Sequence, residues 1–433
     1  MKPLDWNFSL SRRQWLGGAA LLGAGAAMPA FARTSGAWPN VTALIDSYVD
    51  ARKVADMVVA LGFEADEPTV IAAGFDTFGK PRLSDASSIY RIYSMTKPIT
   101  GMAAMILIDE GKLGLDQPLY EILPKFRNMQ VQKVYDGPIS ADNLEPAARP
   151  ITIRQMLTHT AGIGYGIVQQ GPISDAFRDR GVVPGLITRL QNVPLFRGTP
   201  VGSLELFADR LAEMPLVYQP GTRWSYSMGL DLMGRVIEVV SGQPFDTFLQ
   251  QRFFDPLGMV DTGFYVPQDK ANRLTTNYFL NGGMLLPIDP GDASIYLDKP
   301  PFPFGGAGLV STPRDYDRFL EMIVRNGEFE GKRVMSEAAV RVGTSDLLPD
   351  TLAPDGGYEG GRYGYGAGGR VGKGAESGIY GWAGAAGTIG FVERNTGLRA
   401  GLYTQYMPSM AYPLLDEFPA AILKDLAAGG ARS

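Results

Sequence analysis

A helix predicted after Ser94 limits the possible folds more than any other segment. Between Met102 and Leu107 its residues are apolar on most sides, and the pattern ends near Gly111. A helix that is apolar all round is stable only when other elements cover it on every side. We therefore expect a buried helix through the middle of the protein, with Ser94 at its first turn.

Ser94 and Lys97 stand at this helix start in the pattern S-x-x-K. Residues three apart share one face of a helix, and the unpaired amides of the first turn lie beside the serine. An uncharged lysine amine at that distance can take the proton of a serine nucleophile. An isolated S-x-x-K is also explained by an N-cap serine and a surface lysine, so other segments must decide.

Composition excludes several classes of site. The chain of 433 residues has no cysteine and one histidine, His159. A cysteine nucleophile, a disulfide, a thiolate metal site and a histidine-rich zinc site are therefore excluded. Composition does not exclude an all-carboxylate metal site, but no calcium-loop spacing occurs, and a serine nucleophile with a lysine base needs neither a metal nor a cofactor. A net charge of −5 gives no basic excess that would indicate a nucleic-acid partner. Hydrophobic residues at 45% and charged residues at 20% are typical of a soluble globular enzyme.

Residues 1–32 have the order of an export signal. Ser11–Leu16 contains a twin-arginine pattern, Gly17–Phe31 is an apolar run rich in Ala and Gly, and Ala30–Ala32 fits a cleavage site. We expect export by the twin-arginine machinery, cleavage after Ala32 and a periplasmic or secreted protein without membrane contact. The alternative is a retained membrane anchor, for which the run is short and weakly apolar.

Strand patterns lie near both ends of the chain. Residues 57–63 and 69–75 are apolar runs separated by an acidic turn, which predicts a β-hairpin. Residues 41–54, before the hairpin, have the spacing of a helix. Towards the other end, three strands and a closing helix are predicted, at 363–368, 387–393, 399–405 and 412–428.

The middle of the chain, residues 94–304, is predicted to be mostly helical. The flanking parts, about 40–93 and 305–425, would together form one sheet into which the helical region is inserted. We therefore predict an α/β (α+β) fold. The segment 268–301 is predicted to be a long irregular loop, which in a compact domain usually shapes a site.

Six segments, in this order, match those of a known family: Ser94–Lys97, Gly111–Asp116, Ile151–Gly162, Gln219–Ser227, Gly305–Thr312 and Gly381–Thr388. The chain resembles the serine β-lactamase and penicillin-recognising family, and within it the class C-type hydrolases and the family VIII carboxylesterases. The resemblance covers residues 40–425 and implies one domain with a β-lactamase/transpeptidase-like fold. In such a fold an antiparallel sheet is flanked by the terminal helices, and the active site lies between this sheet and an inserted helical region. One segment alone is weak evidence, but six in order make Ser94 the expected nucleophile.

The resemblance also implies the roles of the catalytic groups. Ser94 is the nucleophile, and Lys97 and Tyr226 together take its proton; Tyr226 opens the family's second motif, Y-x-N. Which of the two holds the proton at rest is a coupled titration that the sequence leaves open. By the same resemblance, the backbone N–H groups of Ser94 and Ala385 form the oxyanion hole.

Two departures from the family motifs indicate a more apolar substrate pocket. Met228 replaces the Asn of Y-x-N and cannot form the hydrogen bonds of an amide. Trp382, Ala383 and Gly384 replace K-T-G, so the Lys and Thr that bind a substrate carboxylate in the family are missing. A Trp at this place resembles the W-G-G form of family VIII esterases. We place Met228, Trp382 and Gly384 in the substrate pocket.

The resemblance and its departures together predict a serine hydrolase that acts on small-molecule carboxylic esters through an acyl-enzyme. The alternatives are a class C-like β-lactamase or a D-amino-acid peptidase acting on an amide, an acyltransferase, and an idle penicillin-binding-like protein. No G-x-S-x-G occurs in the chain, which counts against an α/β-hydrolase lipase.

Two further residues have alternative interpretations. His159 is either the base of a Ser–His pair or, as the matching family segment implies, a structural residue, which we favour. Asp231, five residues after Tyr226, either stabilises the first turn of a helix or orients a catalytic side chain.

Overall fold

The computed structural model describes residues 37–190, 198–353 and 355–429. The described helices are α1 (Pro39–Val49), α2 (Thr96–Asp109), α3 (Ile153–Leu157), α4 (Pro172–Asp179), α5 (Leu204–Ala212), α6 (Gly229–Ser241), α7 (Phe245–Leu249), α8 (Asp255–Leu257), α9 (Pro313–Val324), α10 (Glu337–Gly343) and α11 (Leu414–Ala427). The described strands are β1 (Asp56–Phe63), β2 (Thr69–Gly74), β3 (Tyr90–Arg91), β4 (Gln130–Gln132), β5 (Leu144–Pro146), β6 (Asn277–Asn281), β7 (Met284–Asp289), β8 (Val310–Ser311), β9 (Glu328–Phe329), β10 (Lys332–Arg333), β11 (Gly364–Tyr365), β12 (Arg370–Val371), β13 (Ile379–Ala383), β14 (Ile389–Glu393), β15 (Leu398–Tyr403) and β16 (Tyr406–Met407). The export signal predicted over residues 1–32 lies outside the described residues and stays a prediction.

A seven-stranded antiparallel sheet lies at the centre, in the order β11-β12-β13-β14-β15-β1-β2. Strands β1 and β2 form the predicted hairpin, with Ala60 opposite Val70. On its other side β1 pairs with β15, so that Leu61 lies opposite Ala400. Strands from near both ends of the chain therefore pair directly, and the predicted antiparallel sheet of an α+β fold is confirmed.

The terminal helices α1 and α11 cover one face of this sheet and pack on each other. The buried Asp425 carboxylate of α11 accepts hydrogen bonds from the backbone N–H groups of Asn40 (2.9 Å) and Val41 (3.0 Å) at the start of α1, where a negative charge is stabilising. The first helix ends at Val49 rather than at residue 54, because the chain turns at Arg52, which has φ +54°.

Helix α2 lies on the opposite face of the sheet and contacts α6, α10 and β13. Every residue from Thr96 to Leu107 is buried. The prediction of a helix enclosed on all sides is therefore confirmed. The short turn Tyr93–Met95, which contains Ser94, leads directly into it.

A second hairpin, β6–β7, corrects the prediction of an irregular loop over 268–301. It pairs with β16 in a separate three-stranded sheet. Its turn contains Gly282 and Gly283 at φ +55° and +83°, a left-handed conformation that glycine adopts at little cost. The sequence Asn281-Gly282-Gly283 between two apolar runs is a recognised hairpin signal that the sequence analysis overlooked.

Among the residues that the structure describes, no helix combines the length and the apolar character needed to cross a membrane.

Candidate active site

Ser94 lies in the turn before α2, directly after a residue in an unusual conformation. Tyr93 has φ +41°, a value that costs a residue other than glycine about 1–3 kcal/mol. Its buried ring packs edge-on against Tyr296, 6.4 Å between centroids, and its hydroxyl accepts a hydrogen bond from Asn277 Nδ2 (3.1 Å). These contacts hold the strained turn and so fix the direction of the Ser94 side chain.

The side chains of Ser94, Lys97 and Tyr226 lie together at the start of α2. The Tyr226 hydroxyl is 2.7 Å from Ser94 Oγ, and Lys97 Nζ is 3.3 Å from the same atom. Lys97 Nζ also lies 4.5 Å from the centre of the Tyr226 ring. The structure therefore brings the three predicted side chains within reach of one proton, although Tyr226 is 132 residues from Ser94 in the chain.

A buried carboxylate determines where the lysine amine lies. Lys97 Nζ donates to the Gly306 carbonyl at 2.7 Å, and the Gly306 N–H donates to Asp231 Oδ1 at 2.8 Å. A Cβ on Gly306 would lie 2.4 Å from Asp231 Oδ2, so only glycine fits between the two groups. Burial raises the pKa of Asp231 to about 6, although the Lys97 charge and the Gly306 N–H act in the opposite direction. Asp231 is in the first turn of α6, so the segment that supplies Tyr226 also supplies this carboxylate.

Strand β13 forms the other wall of the site. The indole N–H of Trp382 lies 3.4 Å from the Tyr226 hydroxyl, and the two rings are 5.9 Å apart. A Cβ on Gly384 would lie 2.5 Å from the Ile92 carbonyl oxygen, so glycine allows the end of β13 to approach the segment that leads to Ser94. Among the described residues the N–H of Ala385 has no hydrogen-bond acceptor. A free donor at this position is what an oxyanion hole requires.

His159 is fully buried behind the site and contacts Tyr226, not Ser94. Its Nδ1 accepts a hydrogen bond from the Ser227 N–H (3.2 Å) and lies 2.8 Å from Ser227 Oγ. Its ring centroid is 4.7 Å from that of Tyr226. Burial and the Lys97 charge hold the pKa of His159 well below its ordinary value. This geometry supports the structural interpretation, in which a neutral His159 fixes the segment that carries Tyr226.

The site opens into a cavity of about 530 Å³. Ser94, Tyr226 and Trp382 line it, and most of its wall is apolar or aromatic. Met228 does not line it, which corrects the prediction that this side chain belongs to the substrate pocket. Met228 is fully buried in the core around α2 and α6, because the chain turns inward directly after Tyr226. Gly384 and Trp382, the other two residues predicted for the substrate pocket, line the cavity.

A family comparison agrees with this geometry. A sequence model described as Beta-lactamase matches residues 41–423, most of the chain. The chain belongs to the beta-lactamase family. The resemblance predicted from six ordered segments is therefore confirmed.

Within the beta-lactamase family, the relatives include proteins named as esterases. Esterase EstB of Burkholderia gladioli is 29% identical over 347 residues, which are 75% of this chain and 79% of that protein. An uncharacterised protein of Mycobacterium tuberculosis is 37% identical over 263 residues; the match spans 61% of this chain and only 60% of that protein. Among solved structures, EstCE1, described as a hydrolase with promiscuous acyltransferase activity, has a TM-score of 0.70 at 24% identity and covers 89% of this chain and 97% of its own. That structural likeness confirms the predicted β-lactamase/transpeptidase-like fold.

The sequence analysis missed Gly306, which receives the amine of Lys97. The residue lies in one of the six matched segments, beside a second glycine, Gly305. Adjacent glycines mark places where backbone approaches another group closely, and this signal could have found the contact. The aromatic rings around Tyr226, from Tyr165 at 5.4 Å and Trp224 at 6.2 Å, have no comparable local signal.

Within the described residues, no cluster of three or more His, Asp or Glu side chains is arranged to hold a metal ion.

Proposed function

We propose that the protein is a serine hydrolase that cleaves carboxylic esters through an acyl-enzyme. The observation that carries the proposal is the position of Ser94 Oγ, 2.7 Å from the Tyr226 hydroxyl and 3.3 Å from Lys97 Nζ, in the wall of an apolar cavity. A nucleophile within hydrogen-bond reach of its base, which is itself held by further groups, is the arrangement that covalent catalysis needs.

In the proposed reaction Ser94 Oγ attacks the ester carbonyl carbon while its proton passes to the Tyr226–Lys97 pair. The N–H groups of Ser94 and Ala385 bind the resulting oxyanion. The C–O bond to the alcohol then breaks, and the departing oxygen takes the proton from the pair. Water attacks the acyl-enzyme in the same way, which releases the carboxylic acid and returns the proton to Ser94.

Three features favour an ester over a β-lactam or a peptide. Trp382 and Ala383 carry no cation and no hydroxyl that would bind a substrate carboxylate. Met228 is buried and offers no amide to an acylamino group. EstB, of which the match spans 79%, is named an esterase.

Rates on three substrate classes test the proposal. Short p-nitrophenyl esters should be turned over much faster than nitrocefin or a D-Ala-D-Ala peptide, and Ser94→Ala should lower the esterase rate by at least about 10³-fold. Nitrocefin turnover far above that of the esters would assign the protein to the β-lactamases. No turnover of any substrate would favour an idle penicillin-binding-like protein.

Acyl transfer to an alcohol is the second candidate, because EstCE1 is described as having promiscuous acyltransferase activity. The same acyl-enzyme serves both reactions, and only the acceptor differs. Adding butanol to the esterase assay separates them: formation of butyl ester faster than free acid would make transfer the main reaction.

We also propose that the mature protein begins after Ala32 and works in the periplasm or outside the cell. The twin-arginine pattern at Arg12 and Arg13 supports this. Changing both arginines to lysine should leave the full-length precursor in the cytoplasm, detected by fractionation. Unchanged export would contradict the proposal.

A further inference from the structure

The cavity that contains Ser94 continues past the end of β13 onto the other face of the central sheet. Its lining includes Ile379, Gly381 and Ala383, which share one face because alternate strand residues point the same way. The residues between them point the other way: Tyr380, opposite Val392, faces the core around α2. The cavity therefore has a part on the face that α11 covers.

This part, which we name the α11 arm, is walled by Ile379, Ala383, Ile389, Phe391, Leu415 and Pro419. The sheet register places Ile389 opposite Ala383 and Phe391 opposite Gly381, so these side chains stand on the same face. The ring of Phe391 packs on Phe418 of α11, 6.2 Å between centroids. The arm runs along β13 for the four steps from Ile379 to Ala383, or about 13 Å.

Small residues of β13 keep side chains of this strand out of the arm. Strand β14 approaches Gly381 so closely that a Cβ there would lie 2.3 Å from the Gly390 carbonyl oxygen and 2.5 Å from Phe391 Cβ, and the next residue on this face is only an alanine, Ala383. Larger side chains at these two positions would fill the arm.

The charges at the arm do not suit a charged ligand group. Arg370, at one side, stacks over the Tyr363 ring at 4.3 Å and lies 3.8 Å from the Glu376 carboxylate. Asp416, at the other side, is an exposed carboxylate in the first turn of α11. Arg370 is already partly paired with Glu376, and the Asp416 carboxylate repels an anion, so this part of the cavity does not favour an anionic ligand group. The wall between the two residues is apolar.

We propose that the α11 arm binds an apolar chain of the ester, so that the substrates are esters with a chain of several carbon atoms on the acyl or the alcohol side. The inference rests on the proposed ester hydrolysis and names the class of ester. Each CH₂ group that enters the arm should raise kcat/KM about fourfold, the effect of burying one methylene, until the chain is longer than the arm.

Two matched variants of α11 test the inference. Leu415 lines the arm and is 41% exposed, so Leu415→Trp can occupy the arm without disturbing the core. Leu423 is on the same helix, 65% exposed and not part of the cavity wall, so Leu423→Trp is the control. Equal melting temperatures of the three proteins establish that both variants fold.

Each protein is assayed on two series: p-nitrophenyl acetate, butyrate and octanoate, and ethyl, butyl and octyl acetate. In the unaltered protein kcat/KM should rise with chain length in one series, which identifies the side of the ester that enters the arm. Leu415→Trp should lose at least about tenfold on the longest ester of that series and less than about twofold on the shortest, while Leu423→Trp stays unchanged on both.

Two results would overturn the inference and leave the proposed function intact. If the short esters are hydrolysed but chain length has no effect in either series, the α11 arm is not a substrate site although the proposed function stands. If Leu415→Trp and Leu423→Trp have the same chain-length profile, the preference arises elsewhere. Absence of all ester hydrolysis would instead refute the proposed function, and this inference with it.

Discussion

Replacing Asp231 with asparagine should raise the free energy of unfolding and lower the rate of ester hydrolysis. Burial raises the pKa of Asp231 from its ordinary value of 3.8 to about 6. Since one pKa unit corresponds to about 1.4 kcal/mol, keeping this carboxylate ionised costs the folded protein about 3 kcal/mol at neutral pH. An asparagine oxygen can still accept the hydrogen bond from Gly306, so we expect Asp231→Asn to recover about 1–3 kcal/mol of the free energy of unfolding.

The sign of the effect fixes its pH dependence. Because the folded pKa is raised, the ionised carboxylate disfavours folding above the unfolded pKa, and the cost grows as the pH rises from 3.8 to about 6. The stability advantage of Asp231→Asn should therefore be full above about 6 and should shrink as the pH falls through this window. Urea unfolding of the unaltered protein and of Asp231→Asn at several pH values measures this difference in the free energy of unfolding.

Catalysis should change in the opposite direction. The negative charge of Asp231 acts on Lys97 across Gly306, and a small displacement of a catalytic group costs up to about 10²-fold in rate. We expect kcat on a p-nitrophenyl ester to fall by about 10–100-fold. Protonation of Asp231 should also lower kcat/KM of the unaltered protein below about pH 6, and Asp231→Asn should lack this acid limb. The other ionisable groups around Lys97 are Tyr165, Tyr226 and His159, and the lowered pKa of His159 keeps it neutral across this range.

Asp317→Asn is the matched control. Asp317 is also buried with a pKa raised to about 6, but it pairs with Arg399 (2.9 Å) away from the site. By the same linkage its replacement should raise stability with the same pH dependence, since an asparagine oxygen can still accept from Arg399, but it should leave kcat unchanged. If Asp231→Asn behaved in the same way, with higher stability and an unchanged rate, Asp231 would be only a structural residue.

Three further substitutions have distinct expected outcomes. Tyr226→Phe keeps the packed ring and loses the hydroxyl 2.7 Å from Ser94 Oγ, so kcat on p-nitrophenyl acetate should fall by about 10²–10⁴-fold; a rate within about twofold of the unaltered protein would leave Lys97 as the only base. Gly384→Ala would place a Cβ 2.2 Å from Thr388 Oγ1 and displace the proposed oxyanion donor Ala385, so kcat should fall by about 10²–10³-fold; unchanged kinetics would contradict the proposed oxyanion hole. His159→Gln should lower the free energy of unfolding by about 1–3 kcal/mol and leave the pH profile of kcat/KM unchanged, while loss of a pH limb would mean that His159 titrates during catalysis.

The site residues that lie close together in the chain could be predicted from the sequence. Ser94 and Lys97 are one helical turn apart, and local apolar periodicity is enough to predict that their helix is buried. Tyr226 is 132 residues away, so no local pattern connects it with Ser94. Only the order of several matched segments predicted it as the third member.

The predictions for Met228 and Asp231 were wrong or left open because both depend on how segments distant in the sequence pack together. The motif position of Met228 predicts a pocket residue, but the direction of its side chain is set by the core under α6. The contact between Asp231 and Gly306 joins residues 75 apart, and a first-turn carboxylate is compatible with either interpretation until that contact is known. The hairpin β6–β7 had a local signal in its Asn-Gly-Gly turn, so that error was avoidable.

Covalent labelling tests most directly whether Ser94 is the nucleophile of an acyl-enzyme. The protein is incubated with an alkyl fluorophosphonate, and intact-protein and peptide mass spectra are recorded for the unaltered chain, Ser94→Ala and Tyr226→Phe. We predict one phosphonyl group per chain on the peptide that contains Ser94, no label in Ser94→Ala, and labelling of Tyr226→Phe slowed by about 10²–10⁴-fold. Equal labelling of Ser94→Ala, or a label on another serine, would contradict the proposed mechanism.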